Sequence, residues 1–232
     1  MKILATSDLH GNLEGLSFAG IDIAVIAGDF ACMAGNSKWD AFGQKKWIEK
    51  KLIPLIASYS KTRFVLVPGN HDFCMDPKVQ ARHRMDWRIS WPSNVHVLLD
   101  SGCEINGLKI YGTPHVPIIS YYWAFEAEHD ALQRAFAKIP SGLDILVTHS
   151  PPRISGEALD ISLQNGANSE AFGSSELTHV LFDKQPRLCF CGHIHSGFHG
   201  PVKFEGTTIY NVSRVDERYE IAYEPTVIEQ HS

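Results

Sequence analysis

Val67-Pro68-Gly69-Asn70-His71-Asp72 places two turn-forming positions and three polar, ligand-capable side chains directly behind an apolar run. Residues 62–67 are rich in β-branched and aliphatic side chains, so they read as a buried strand that Pro68 and Gly69 stop. Asn70 and His71 then stand at a strand's exit, which in an open α/β sheet is where ligands bind. A plain turn, with His71 and Asp72 capping the next element, would carry the same letters. Recurrence elsewhere in the chain decides between the two.

The same pattern returns four times. Residues 2–7 end in Asp8-Leu9-His10-Gly11-Asn12, and residues 21–27 end in Gly28-Asp29-Phe30. Residues 143–147 deliver Thr148-His149-Ser150-Pro151-Pro152, and residues 188–191 run into Gly192-His193-Ile194-His195. Strand C-terminal ends of a mainly parallel sheet lie along one edge, so these side chains can converge. Between them, Ser37 is the expected N-cap of a helix through Trp39, Phe42, Ile48, Leu52 and Ile56, kinked or broken around Pro54. Residues 79–91 interleave arginine with tryptophan, which suits an amphipathic cover element or, as the alternative, a grip on phosphate or a base. Asn106-Gly107 predicts a hairpin between residues 103–105 and 108–111. An aromatic loop (112–125), a helix (127–137), a polar surface loop (160–173) and a helix (175–182) follow. A second hairpin turns across Glu205-Gly206, and residues 212–222 read as an edge strand.

The 232 residues, 44% of them hydrophobic, suffice for one domain over residues 1–232. A net charge of -5 without runs of like charge argues against duplex nucleic acid as a partner. No apolar stretch is long enough to span a bilayer, and residues 3–5 are too short for the core of a signal peptide. Five scattered cysteines suit a reducing compartment, so the expected location is cytoplasmic; the oligomeric state is left open.

Asp8, His10, Asp29, Asn70, His149, His193 and His195 form a mixed N/O donor set. Such donors suit divalent transition ions better than Ca or Mg, with Mn expected and Fe, Zn, Co or Ni as alternatives. Seven donors are too many for one four-coordinate ion and fit two ions about 3.5 to 4 Å apart that share a carboxylate. Cys189-x-Cys191-x-His193-x-His195 could suggest a structural zinc instead. On an extended strand, however, four alternate side chains span about 20 Å, whereas zinc needs each ligand within about 2.3 Å. Two ions on two carboxylates keep about two positive charges, which attract phosphate and acidify a bridging water for attack on phosphorus. His71, adjacent to a ligand but spare, is the expected proton donor to the leaving group, with Asp72 fixing its tautomer. His115 and Trp123, in the aromatic loop, are the expected substrate contacts, through stacking on an organic arm. The plainer reading is that these aromatics fill the core or a dimer contact.

In order along the chain, Asp8-x-His10, Gly28-Asp29, Gly69-Asn70-His71-Asp72, His149 and Gly192-His193-x-His195 resemble the motifs of the calcineurin-like metallophosphoesterases. The resemblance implies an α/β fold, a sandwich of two mixed β-sheets flanked by helices. It further implies that Asp8, His10, Asp29 and His195 bind one ion, Asp29, Asn70, His149 and His193 the other, and that His71 is catalytic. Phe30-Ala31-Cys32-Met33-Ala34-Gly35 lacks the Asp-Arg pair of the protein Ser/Thr phosphatases. A narrower likeness rests on Tyr111-Gly112-Thr113-Pro114, Trp123-Ala124-Phe125, Asp144-Ile145-Leu146-Val147-Thr148-His149-Ser150-Pro151-Pro152 and Gly192-His193-Ile194-His195. These segments look like those of small metallophosphoesterase-domain proteins similar to cyclic-nucleotide phosphodiesterases. The implied activity is hydrolysis of small phosphodiesters such as cyclic nucleotides. The alternatives are a phosphomonoesterase on a small substrate and a metal-poor scaffold of the same fold.

Overall fold

A computed structural model describes residues 1–154 and 172–230. The predicted polar loop 160–173 therefore lies outside the described residues except for Phe172 and Gly173. Four strands in chain order, β1 (Lys2–Thr6), β2 (Ile23–Ala27), β3 (Arg63–Val67) and β4 (Val95–Val97), pair in parallel. Next come β5 (Ser101–Ile105), β6 (Leu108–Thr113), the short pair β7 (Val116–Pro117) and β8 (Glu126–Ala127), and β9 (Ile145–Thr148). The last strands are β10 (Leu188–Cys191), β11 (Val202–Phe204), β12 (Thr207–Asn211) and β13 (Thr226–Glu229). One sheet has the order β13-β1-β2-β3-β4 and the other β11-β12-β10-β9-β6-β5. Both are mixed, because β13, β11 and β5 pair antiparallel at the margins.

The near-continuous apolar strands are explained by what covers each face. Ile3, Val25 and Val65 of one sheet meet Ile110, Ile145 and Phe190 of the other in a shared core. The alternate residues Leu4, Ile26, Phe64 and Leu66 face outward onto helices. Those helices are α1 (Lys38–Trp47), a π-helical turn Ile48–Leu52, α2 (Ile53–Ala57) and α3 (Pro77–Arg82). On the far side Leu146, Cys189 and Ile209 pack against α4 (His129–Phe136) and α5 (Ser175–Lys184). The central strands of each sheet are buried on both faces, and the predicted sandwich of two mixed β-sheets flanked by helices is what the chain builds. Among the described residues no helix is long and apolar enough to cross a membrane.

Several elements differ from expectation in instructive ways. Ser37 caps α1, its Oγ accepting from the Asp40 amide at 3.2 Å. The helix is not broken at Pro54, because the π turn widens the backbone just ahead of the proline that could not donate to it. The predicted cover element over residues 79–91 is a helix only to Arg82, after which Trp87, Ile89 and Trp91 lie on the first core and Arg88 pairs with Asp86. The edge strand is β13, not residues 212–222. Those residues form a loop turned on Asp216, whose Oδ1 accepts the amides of Arg218 and Glu220 at 2.8 and 3.0 Å.

Candidate metal centre

Five loops leave the C-terminal ends of β1, β2 and β3 in one sheet and β9 and β10 in the other, and they meet at the seam between the sheets. Asp8, His10, Asp29 and His193 all take positive φ, between 44 and 71°. That conformation is rare for non-glycine residues and gathers at functional sites, where the surroundings hold it in place. The glycines beside these candidate ligands are required by close approach. A Cβ at Gly192 would stand 2.0 Å from Ser7 Oγ and 2.3 Å from Asp8 Oδ2, and one at Gly69 would stand 2.2 Å from Asp29 Oδ1.

Three overlapping sets, Asp8–His10–His195, His10–Asp29–His71 and Asp8–Asp29–His149, each bring their donor atoms within 4.8 Å of one another. His10 Nε2 lies 3.3 Å from His195 Nε2 and 3.9 Å from Asp29 Oδ2. His149 Nε2 lies 3.2 Å from Asp29 Oδ2 and 2.9 Å from Asn70 Oδ1. His193 is set further out. Its ring centroid is 5.0 Å from that of His149, while its amide donates to Asp8 Oδ2 at 3.0 Å.

The hydrogen bonds behind the rings show that this donor set fits cations. His149 Nδ1 sits 2.9 Å from the Ala27 carbonyl, and His195 Nδ1 sits 3.0 Å from the Asp216 carbonyl. A carbonyl only accepts, so both Nδ1 atoms carry hydrogen and both neutral rings turn an Nε2 lone pair inward. Those lone pairs face other acceptors, the Asn70 amide oxygen and the Asp29 and Asp8 carboxylates. Such an arrangement requires positive charge at its centre, either protons or metal ions. Without ions the protons take that part: against the effect of burial, Asp29 raises His149 to about 9. Burial likewise opposes ionisation of Asp8, but hydrogen-bonded His195 and the charge of His149 hold its carboxyl below the usual range. Burial lowers His10 to about 4 and His193 to about 3, so both are neutral and available as ligands at pH 7.

Two of the predicted roles are corrected by the geometry. Asp72 does not orient the His71 ring. Its buried carboxylate accepts from the amides of Gly69 (2.8 Å), Ala31 (2.8 Å) and Phe30 (3.4 Å), while His71 Nδ1 is buried without a hydrogen-bond partner. Asp72 thus ties the Asp29 loop to the Asn70 loop, and burial together with the Asp29 charge pushes it up to about 7. His115 is not beside the cluster either, since its Nε2 pairs with Asp100 Oδ2 at 3.1 Å and it does not line the cavity there. Trp123 is beside it, with its ring 4.3 Å from that of His71.

Two further residues escape a reading of the sequence. Gln44 of α1 is fully buried; its Nε2 donates to the carbonyls of Cys32 (2.8 Å) and His71 (2.6 Å), and its Oε1 accepts from the Cys74 amide (3.1 Å). Nothing in its local sequence marks it, because the three partners are main-chain atoms of other loops. Tyr219 stands at φ 63° with its ring 4.7 Å from His10 and 5.3 Å from His195. The polar run Asp216-Glu217-Arg218 was its only signal, as the turn that presents it.

The model of the calcineurin-like phosphoesterase family matches residues 1–197. The chain belongs to that family. Human metallophosphoesterase domain-containing protein 1 is 28% identical over 248 residues, covering 98% of this chain and 70% of that protein. The Caenorhabditis elegans UPF0046 protein C25E10.12 is 29% identical over 241 residues, 99% of this chain and 80% of its own length. The solved phosphopantetheinyl hydrolase of Mycobacterium tuberculosis shares the fold, with a TM-score of 0.54 at 14% identity over 94% of this chain and 90% of that one. As a calcineurin-like phosphoesterase with a His/Asp cluster able to hold metal, the chain is supported as a metal-dependent phosphoric ester hydrolase for small phosphoesters.

Proposed function

We propose that the protein is a two-metal phosphodiesterase for small diesters such as cyclic nucleotides, working as one domain in the cytoplasm. The observation that carries the substrate class is the lining of the cavity over the cluster, about 250 Å³, which sets Trp123, Phe172 and Tyr219 beside the cluster and Glu217 and, among the described residues, contains no lysine or arginine. A monoester brings two negative charges and one organic arm, and sites for it profit from added cations. A diester brings one charge and two arms, which suit Trp123, Tyr219, Ile119 and Phe172 around His71.

Asp8, His10, Asp29 and His195 would hold one ion, and Asp29, Asn70, His149 and His193 the other. Two divalent ions there, Mn foremost, would supply charge for the phosphate and acidify a water for in-line attack. The Ala27 and Asp216 carbonyls fix the His149 and His195 rings with Nε2 inward. Trp123 and Tyr219 orient the organic arm, and His71 gives a proton to the departing alkoxide. The deciding experiment is a Mn-supplemented screen of 2′,3′- and 3′,5′-cyclic nucleotides, bis(4-nitrophenyl) phosphate and 4-nitrophenyl phosphate. Diesters should lead in kcat/KM; a leading monoester would make the protein a phosphatase.

A further inference from the structure

Behind Trp123 lies a second cavity, about 370 Å³, between α3 and the loop that joins β7 to β8. Trp123 lines this cavity as well as the one over the cluster, so the two adjoin at this residue. The loop is built to hold it. Glu126, 5% exposed, accepts the amides of Ile119 (2.6 Å) and Ser120 (2.7 Å) on one oxygen and that of Trp123 (2.8 Å) on the other. Asp76, 3% exposed, takes the amides of Lys78 and Phe125 at 2.7 and 3.0 Å and so joins the loop to α3. Tyr121 and Phe125 are held at φ 62 and 56°. A loop fixed at two unfavourable positions by two buried carboxylates is a preorganised surface rather than a simple connection.

Its charges are distributed unevenly. The carboxylates of the cavity are engaged, Asp76 and Glu126 by main-chain amides and Glu128 by the Tyr121 hydroxyl at 2.6 Å. The cations are not matched to carboxylates. Lys78 Nζ donates to the main-chain oxygen of Glu126 at 3.0 Å, and Arg82, in the last turn of α3, is exposed with no ion pair among the described residues. Tyr121, Tyr122 and Trp123 supply ring faces beside these two cations.

Building on the phosphodiesterase reading, we propose that this second cavity receives the arm of the diester that does not leave. It selects an arm with an aromatic ring and an anionic group, the ring against Tyr121, Tyr122 and Trp123 and the anion on Arg82 and Lys78. Among small diesters, the favoured substrate is then an open diester of a nucleotide-like arm carrying a further phosphate, ahead of a simple cyclic nucleotide.

The test keeps the leaving group constant. The 4-nitrophenyl ester of thymidine 5′-phosphate is compared with the same ester bearing a 3′-phosphate, each as a kcat/KM ratio to methyl 4-nitrophenyl phosphate so that any general loss cancels. The 3′-phosphorylated ester should lead by about tenfold, the effect of one charge-assisted contact, and Lys78→Ala with Arg82→Ala should erase the lead. Equal ratios in the unaltered protein, or a lead that survives both substitutions, overturn the subsite. Binding separates this from the activity itself. If neither ester turns over but tryptophan fluorescence shows thymidine 3′,5′-bisphosphate binding more tightly than thymidine 5′-phosphate, and Arg82→Glu removes the difference, the subsite stands and the diesterase reading falls. Absence of both turnover and that difference removes both.

Discussion

His71 and Asp29 lie side by side, yet truncating them should give different failures. Asp29 reaches His10, His149 and the His71 amide at once, so Asp29→Ala should lower metal content along with activity, read by metal analysis of the purified protein. His71→Ala should keep the metals and lose about a hundredfold or more in turnover of alkyl esters, as expected of a general acid. Nitrophenolate leaves without a proton, so the loss should shrink for nitrophenyl esters. A loss equal for both ester types would take the acid role from His71. Burial lowers the His71 ring from its ordinary value, and an acid must be protonated to act. Alkyl-ester rates should therefore fall as pH rises through the acid side of neutrality, while nitrophenyl rates should not. The residues of the Asp/His cluster were legible in the sequence because each follows an apolar run and is bracketed by glycine or polar residues. Asp72 was misread because adjacency in sequence suggested contact with His71, whereas its side chain turns back to the Gly69 and Ala31 amides.

At the scale of elements, the loops are held by close approach and by one helix. Gly192→Ala places a methyl group where Asp8 Oδ2 and Ser7 Oγ stand, at 2.3 and 2.0 Å. The variant should fold and bind Mn at least about tenfold more weakly, a loss of the size seen when groups supporting a ligand are disturbed, as measured by titration calorimetry. Gln44→Ala leaves two carbonyls and one amide without partners in a buried place. It should cost at least about 3 kcal/mol in denaturant unfolding, given about 1 to 3 kcal/mol for each such group. Its kcat should fall more than its KM changes, because the peptide it releases carries His71. Unaltered kcat in a destabilised variant would make Gln44 structural only. The helix bearing Gln44 was predicted from its apolar spacing and Ser37 cap, but the π turn before Pro54 was not. A widened turn has no composition of its own and shows only where the backbone makes room for a proline.

For the whole molecule, the two sheets could be foreseen as buried strands, but their division could not. Strands covered on both faces are apolar throughout and lose the alternation that tells one face from the other. The centre at their seam should make stability depend on ions and protons together. In chelator-treated protein, His10 and His193 sit at about 4 and 3, below the ordinary 6.5, so the unfolded chain binds more protons below pH 6.5 and stability falls as pH drops from there toward 4. His149, raised to about 9, contributes stability that is present below pH 6.5 and lost as pH rises through 9. From these groups, the melting temperature of the stripped protein should peak near neutrality. Added Mn should raise it in proportion to the logarithm of concentration, and this gain should vanish in acid as the ligands protonate. A melting temperature indifferent to both chelator and Mn would argue for a metal-poor scaffold. Asp29 and His149, 3.2 Å apart, come from opposite sheets, as do the Ser7 amide and Val212 carbonyl at 2.8 Å. Ions bound there would add a further tie along this one rim, and under mechanical load the rim that carries the cluster should be the last to part.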